Sequence, residues 1–247
     1  MLVEAQVTGG VARIFLARPE KANALSTPML EALRGEIETL RGDTSLRVAV
    51  LAGRGRAFCG GADVNELARL IAENAADFVA TIHSACEAIR ALPVPVVASL
   101  HGACIGAGLE IAAACDLRIA AEGTKFAMPE VRLGIPSVVE AALLPRLMGA
   151  GRAAWLVLTG EAIDARRAYE WGLVEEICPP PLLEERVENV VKSLLAGERE
   201  ALAAQKRLVQ LWDEAPLGQS VEASLRAFAQ AYAPGNTISS RLKGKAN

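Results

Sequence analysis

Residues 93–116 read PVPVVASLHGACIGAGLEIAAACD, and a single acid, Glu110, interrupts the apolar run that closes this stretch. The β-branched residues 94–100 predict a buried strand, Gly102, Gly106 and Gly108 a tight turn, and residues 109–115 a buried helix. A helix start leaves amide N–H groups unpaired and carries the positive end of the helix dipole, so it stabilises negative charge. Glu110 in the first turn therefore has two readings. It either benefits from the helix terminus or is placed there to exchange protons. Two loops offer backbone donors: residues 59–63, CGGAD, the N–H of Ala62, and residues 105–110 that of Ala107. Two peptide N–H groups aimed at one carbonyl oxygen make an oxyanion hole. A third loop, residues 128–137, brings Glu130 in front of another helix start, so two carboxyls could move protons on a carbon skeleton.

The elements that must position these groups are short. Residues 2–7 and 11–17 flank Gly9-Gly10 and predict a β-hairpin. Ser26-Thr27-Pro28 predicts a helix start with a hydroxyl cap, and Leu30, Leu33, Ile37 and Leu40 give that helix one apolar stripe. Residues 47–52 predict a buried strand, residues 64–92 a helix in two pieces around Asn74, and residues 116–121 another strand. Residues 137–147 predict one helix, whose Ser137 and Glu140 have the spacing of a capping box. Glu140 has a second reading as a third catalytic acid. Residues 153–159 and 164–170 predict helices, and residues 173–177 a strand. Beyond Pro179-Pro180-Pro181 only helices are expected, over residues 182–196, 198–213 and 217–232. The whole reads as an α/β core over residues 1–178 with a helical region over residues 179–247. Val221, Leu225, Phe228 and Tyr232 form a helical stripe that faces either its own core or a neighbouring subunit.

Composition narrows the function. The chain has 247 residues with a net charge of −3, which argues against nucleic acid as the main partner. Five scattered cysteines, with no CxxC pair, fit a reducing compartment. Two histidines and no HExxH speak against a metal site. The N-terminus reads as no signal peptide and no apolar run is long enough to span a membrane, so the expectation is a cytoplasmic protein. Neither glycine-rich turn completes GxGxxG, and neither GxxxxGK[ST] nor GxSxG occurs, which removes support for a dinucleotide, P-loop or common serine-hydrolase site.

Several pieces together resemble the crotonase, or enoyl-CoA hydratase/isomerase, superfamily. They are PEKANALS at residues 19–26, AFCGGAD at 57–63, HGACIGAGLE at 101–110, KFAMPEVRLG at 125–134 and LTGE at 158–161. The resemblance implies a spiral of ββα repeats followed by helices that pack on neighbouring subunits in a homotrimer or hexamer. It implies an acyl-CoA thioester as substrate, coenzyme A being part of the substrate, with no metal or redox cofactor. The thioester oxygen would lie between the N–H groups of Ala62 and Ala107. Ala22, Ala24, Gly60, Asp63 and Val64 would line the CoA path mostly by backbone, and Gly106, Pro129 and Ser137 would join them at the substrate. Glu110 and Glu130 would be the catalytic pair of an enoyl-CoA hydratase, with double-bond isomerisation or another enolate reaction as the alternative. A non-catalytic homologue, such as an RNA-binding one, is a rival that the retained carboxyls and acidic balance oppose. Sequence context assigns Glu110, at its helix terminus, the ionised base that activates water. It assigns Glu130, among Phe126, Ala127, Met128 and Val131, the neutral acid that protonates the α carbon. Residues 137–140, SVVE, depart from the family by replacing a glycine-rich run, and the acyl group is left open.

Overall fold

The computed structural model describes residues 1–233. The expected hairpin forms from β1 (Val3–Thr8) and β2 (Val11–Leu16), which pair antiparallel across Gly9 and Gly10, both at positive φ. Next come α1 (Thr27–Arg41), β3 (Val48–Gly53), α2 (Val64–Leu67) and α3 (Ala72–Ala91). The central stretch supplies β4 (Val96–Leu100), β5 (Ala103–Ile105) and α4 (Ala107–Ala114). Then follow β6 (Leu117–Ala121), β7 (Lys125–Ala127), α5 (Leu144–Met148), α6 (Ala150–Thr159), β8 (Ile163–Asp164), α7 (Ala165–Trp171), β9 (Glu176–Cys178) and α8 (Leu183–Leu195).

Six strands form one sheet in the order β1-β2-β3-β4-β6-β9, parallel beyond the hairpin. Side chains alternate across it, as a pleated strand requires. Ile14, Leu16, Ala49, Leu51, Ala98 and Leu100 face the main core with α1, α3 and α4. Val11, Val48, Val50, Val97 and Ile119 face a second, smaller core capped by Val187 and Val191 of α8. Burial on both faces explains why these strands read as continuous apolar runs.

Each turn of the chain also contributes to a second, smaller layer. Leu25 pairs with Ala62, Cys59 with Cys104, and β5 with β7, all in parallel, and β8 closes that edge antiparallel. Strand, short strand, helix is thus repeated around the core. The expectation missed β5, β7 and β8 because pieces of two or three residues show no periodicity.

Other differences are local. The break between α2 and α3 covers residues 68–71 rather than Asn74, whose Oδ1 accepts the Ile71 N–H at 2.8 Å and starts α3. Ser26 makes no side-chain cap on α1. Glu66 takes that role from across the chain, accepting from Thr27 N–H at 2.9 Å and Thr27 Oγ1 at 2.8 Å. Residues 137–147 are not one helix but a 3-10 turn, Val139–Leu143, leading into α5.

Residues 1–196 form one compact unit, and the described residues 197–233 belong to a second, the rest of the expected helical region lying outside the described residues. The expected boundary at 178/179 therefore lies too early: α8 covers the sheet and belongs with the core. In the second unit, α9 (Arg199–Glu214) and α10 (Leu217–Ala231) pair. The stripe of α10 does not bury itself, since Leu225 and Phe228 are each 66% exposed. Among the described residues, no helix is long and apolar enough to cross a membrane.

One side chain ties the first loop to the core. Ala22 and Asn23 adopt positive φ, 50° and 56°, and asparagine tolerates this region better than most residues. Asn23 is fully buried. Its Nδ2 donates to the carbonyls of Ala57 (2.8 Å), Arg54 (2.9 Å) and Phe58 (3.1 Å), while its Oδ1 accepts from Arg18 N–H at 2.9 Å. Asn23→Ala strands these groups and should destabilise the fold by about 1–3 kcal/mol. Urea unfolding checks this, and a midpoint equal to the parent's would show that the ties contribute nothing.

Candidate active site

The loop of residues 57–63 and the strand–turn of residues 101–107 run side by side, stitched by backbone bonds. Phe58 N–H donates to His101 O at 2.7 Å, Cys59 N–H to Ala103 O at 2.9 Å, and Ile105 N–H to Cys59 O at 3.1 Å. Gly106 N–H donates to Ala127 O at 2.8 Å, which brings in the third loop. The close approach needs glycine at position 108, where a Cβ would lie 2.7 Å from the Cβ and Sγ of Cys59. Cys59 itself is inert: burial pushes its thiol up to about 12 despite a bond with Gly61. Among the described residues, the N–H groups of Ala62 and Ala107 meet no acceptor, because the bonds around them are made by their neighbours.

Ala62 and Ala107 both line a cavity of about 750 Å³ that Glu110 and Glu130 also line. Most of its remaining wall is apolar, from α2, α3 and residues 133–139. Glu110 lies in the first turn of α4, a helix whose eight residues are all buried. Its Oε1 accepts the Ala141 N–H at 3.2 Å. Burial first, then the charges of Glu130 and Glu140, push its carboxyl up to about 8, against the opposing Ala141 bond. The expectation that the helix terminus keeps Glu110 ionised is therefore overturned. Loss of water around a carboxylate outweighs a partial dipole charge.

Glu130 opens the 3-10 turn Glu130–Leu133. Its Oε2 accepts from Ser137 Oγ at 2.8 Å. Its Oε1 lies against Gly106, where a Cβ would come within 2.3 Å and where φ is +51°. Only glycine fits there, so the turn that presents Ala107 also seats Glu130.

The remaining expected residues divide. Gly60, Val64, Gly106 and Pro129 line the cavity, while Ala22, Ala24, Asp63 and Ser137 do not. Ala22 O accepts the Gly60 N–H at 2.8 Å, and Ala24 O accepts from Arg18 Nη1 at 3.2 Å. Asp63 is buried and caps α2 by accepting the Asn65 N–H at 2.8 Å. It also pairs with Arg18 at 2.5 Å. Burial alone would raise its carboxyl, but Arg18 and the Asn65 N–H outweigh that and hold it below its usual value. These residues hold the loops that carry the donors.

The capping box of Ser137 and Glu140 does not form. Ser137 binds Glu130 instead, Val138 precedes the turn without a side-chain cap, and Glu140 is buried against His83, with Oε1 2.7 Å from Nδ1. His83, which the sequence expectation passes over, lines the cavity as well. A lone histidine in a helix carries no local sign of this contact, since its partner lies 57 positions away. The arrangement can hold a carbonyl oxygen on two amides and present two carboxyls to the carbons beside it.

The enoyl-CoA hydratase/isomerase family matches residues 6–238. A crotonyl-CoA hydratase of Syntrophomonas wolfei is 30% identical, over 90% of this chain and 86% of its own. A trans-2-decenoyl-acyl-carrier-protein isomerase of Streptococcus mutans is 32% identical, over 82% of this chain and 79% of its own. The crystal structure of an enoyl-CoA hydratase from Bacillus anthracis superposes with a TM-score of 0.94 at 31% identity, covering 100% of this chain and 96% of that one. With the layered spiral and the paired loops, these likenesses show that the chain has the crotonase fold and belongs to the enoyl-CoA hydratase/isomerase family.

Proposed function

We propose that this protein adds water across the 2,3 double bond of an enoyl-CoA thioester. The observation that carries this reading is the presence of two carboxyls, Glu110 and Glu130, on the wall of one cavity beside two unpaired N–H groups. Hydration must remove a proton from water and deliver one to the α carbon, which calls for two proton-handling groups. Moving a double bond calls for one group that takes a proton from one carbon and returns it to another. The likeness to an isomerase keeps that second reading alive.

In the proposed reaction the thioester oxygen accepts from Ala62 and Ala107. As the water oxygen bonds to the β carbon, electrons shift to the thioester oxygen, and the enolate is held there. One carboxyl takes the water proton and the other protonates the α carbon. The pair must therefore hold one proton between them at the start, and the raised Glu110 carboxyl supplies a place for it at neutral pH. The thioester already acidifies the α carbon, so the scheme requires no metal or redox group. We further propose that the protein self-assembles as a trimer or hexamer, for which the exposed apolar stripe of α10, with Trp212 of α9 beside it, is the support.

With crotonyl-CoA, loss of enoyl absorbance measures hydration. Glu110→Gln and Glu130→Gln should each lose about 10²–10⁴ in turnover while still binding the thioester. Should Glu130→Gln hydrate at the parent rate, the two-carboxyl scheme fails and a reaction that needs one acid becomes the better reading; a parent protein that shifts the double bond of an enoyl-CoA without hydrating crotonyl-CoA would favour isomerisation. The sign of the pH dependence follows from Glu110: a proton required on the pair is lost as pH rises through the raised carboxyl. Accordingly, kcat/KM should fall above about pH 8, and a flat alkaline side would contradict this. Sedimentation at micromolar concentration should show a trimer or hexamer, and a monomer would refute the assembly.

A further inference from the structure

Glu140 is a buried carboxyl that neither helix capping nor the proposed hydration accounts for. Its Oε1 meets His83 Nδ1 at 2.7 Å, and the Cys86 side chain of α3 also bonds to this carboxyl. The residue before it, Val139, has φ +39°. A β-branched residue in the left-handed region is strained and persists only where its surroundings over-determine it. The residue after it, Ala141, points its N–H both to Val138 O at 3.0 Å and to Glu110 Oε1 at 3.2 Å. His83 stands on α3, whose Ile82, Ala85, Cys86 and Ile89 are anchored in the core. A fixed helix thus grips a strained turn, and that turn touches the carboxyl proposed to hold the shared proton.

We propose that His83 and Glu140 are positioning residues for Glu110. Their contact pins the turn at residues 138–141 so that the Ala141 N–H meets Glu110 Oε1. This inference rests on Glu110 being a proton-handling carboxyl of the proposed reaction. The ionisable groups around the turn are Glu110 of α4, Glu130 from the loop after β7, Glu140 itself, and His83, Cys86 and Glu87 of α3. Cys86 stays a thiol, pushed well up by burial and then by the charges of Glu140 and Glu110. The clamp has two opposed effects on Glu110. The Ala141 bond favours the carboxylate, whereas the Glu140 charge disfavours it.

Substitution separates these effects. Glu140→Gln keeps an oxygen for His83 and removes the charge. His83→Ala added to Glu140→Gln then removes the grip with no stranded buried charge. The readout is the infrared band of the protonated Glu110 carboxyl, recognised by its loss in Glu110→Gln and titrated without substrate. Its midpoint should move to lower pH in Glu140→Gln and back upward in the double variant. In the double variant, kcat with crotonyl-CoA should fall about tenfold below Glu140→Gln, as expected of a misplaced reacting group, with KM little changed. The inference is overturned if the folded double variant matches Glu140→Gln in both midpoint and kcat. The infrared titration stands whether or not the parent hydrates crotonyl-CoA. Failure of hydration counts against the proposed function, and failure of the midpoint to respond counts against the clamp.

Discussion

The short parallel bridge between Cys59 and Cys104 is the contact on which the site depends. It is made of backbone bonds alone, so it aligns peptide planes rather than side chains. Because Cys59 and Ile105 exchange bonds with the neighbouring segment, the amides a few residues further on, at Ala62 and Ala107, emerge where the two segments part. Amides left without internal partners are free to meet an acceptor from outside the chain, which is what the proposed reaction asks of them. The same bridge explains several residue choices that look unrelated in the chain. Gly108 lets α4 approach Cys59, and Asn23 satisfies the carbonyls of Ala57 and Phe58 just before the bridge.

Charge burial is the second constraint. Glu110 and Glu140 are buried, and Glu130 stands close enough for its charge to reach Glu110. Carboxyls grouped in partly apolar surroundings resist ionising together, which keeps a proton in the group at neutral pH. The arrangement has a cost to the fold. Unfolded, the Glu110 carboxyl has the ordinary value of 4.5, and burial in the folded state pushes it up to about 8. The folded state thus binds this proton more tightly. The associated stability is fully present below the unfolded value and declines as pH rises toward 8. A buried carboxyl that keeps its proton in this sense weighs against alkaline stability.

The sheet and the major helices were legible because their signals are periodic. β2, β3, β4 and β6 read as apolar runs and were found within a residue or two, as was the stripe of α1. The donors at Ala62 and Ala107 were legible because a glycine-rich turn before a helix start is itself a local structure. The pair of Glu110 and Glu130 was legible as two acids in apolar settings. The strands β5, β7 and β8 were too short for any period to show, and α8 looked like its C-terminal neighbours because an amphipathic helix does not state which surface it covers.

By itself, then, the sequence determined the α/β class, the places of the loops and the candidate donors and acids, since backbone propensity and side-chain period act over a few residues. Tertiary structure alone decided how tightly Glu110 holds its proton. Local context favoured a carboxylate at Glu110, but burial by the apolar core and the nearby Glu130 and Glu140 push that carboxyl up instead. It also decided the partner of Glu140. Spacing suggested Ser137 three residues away, whereas the fold brought His83 to it from α3 and gave Ser137 to Glu130. Desolvation and Coulomb interaction depend on distance through space, and the chain carries that distance only once it has folded.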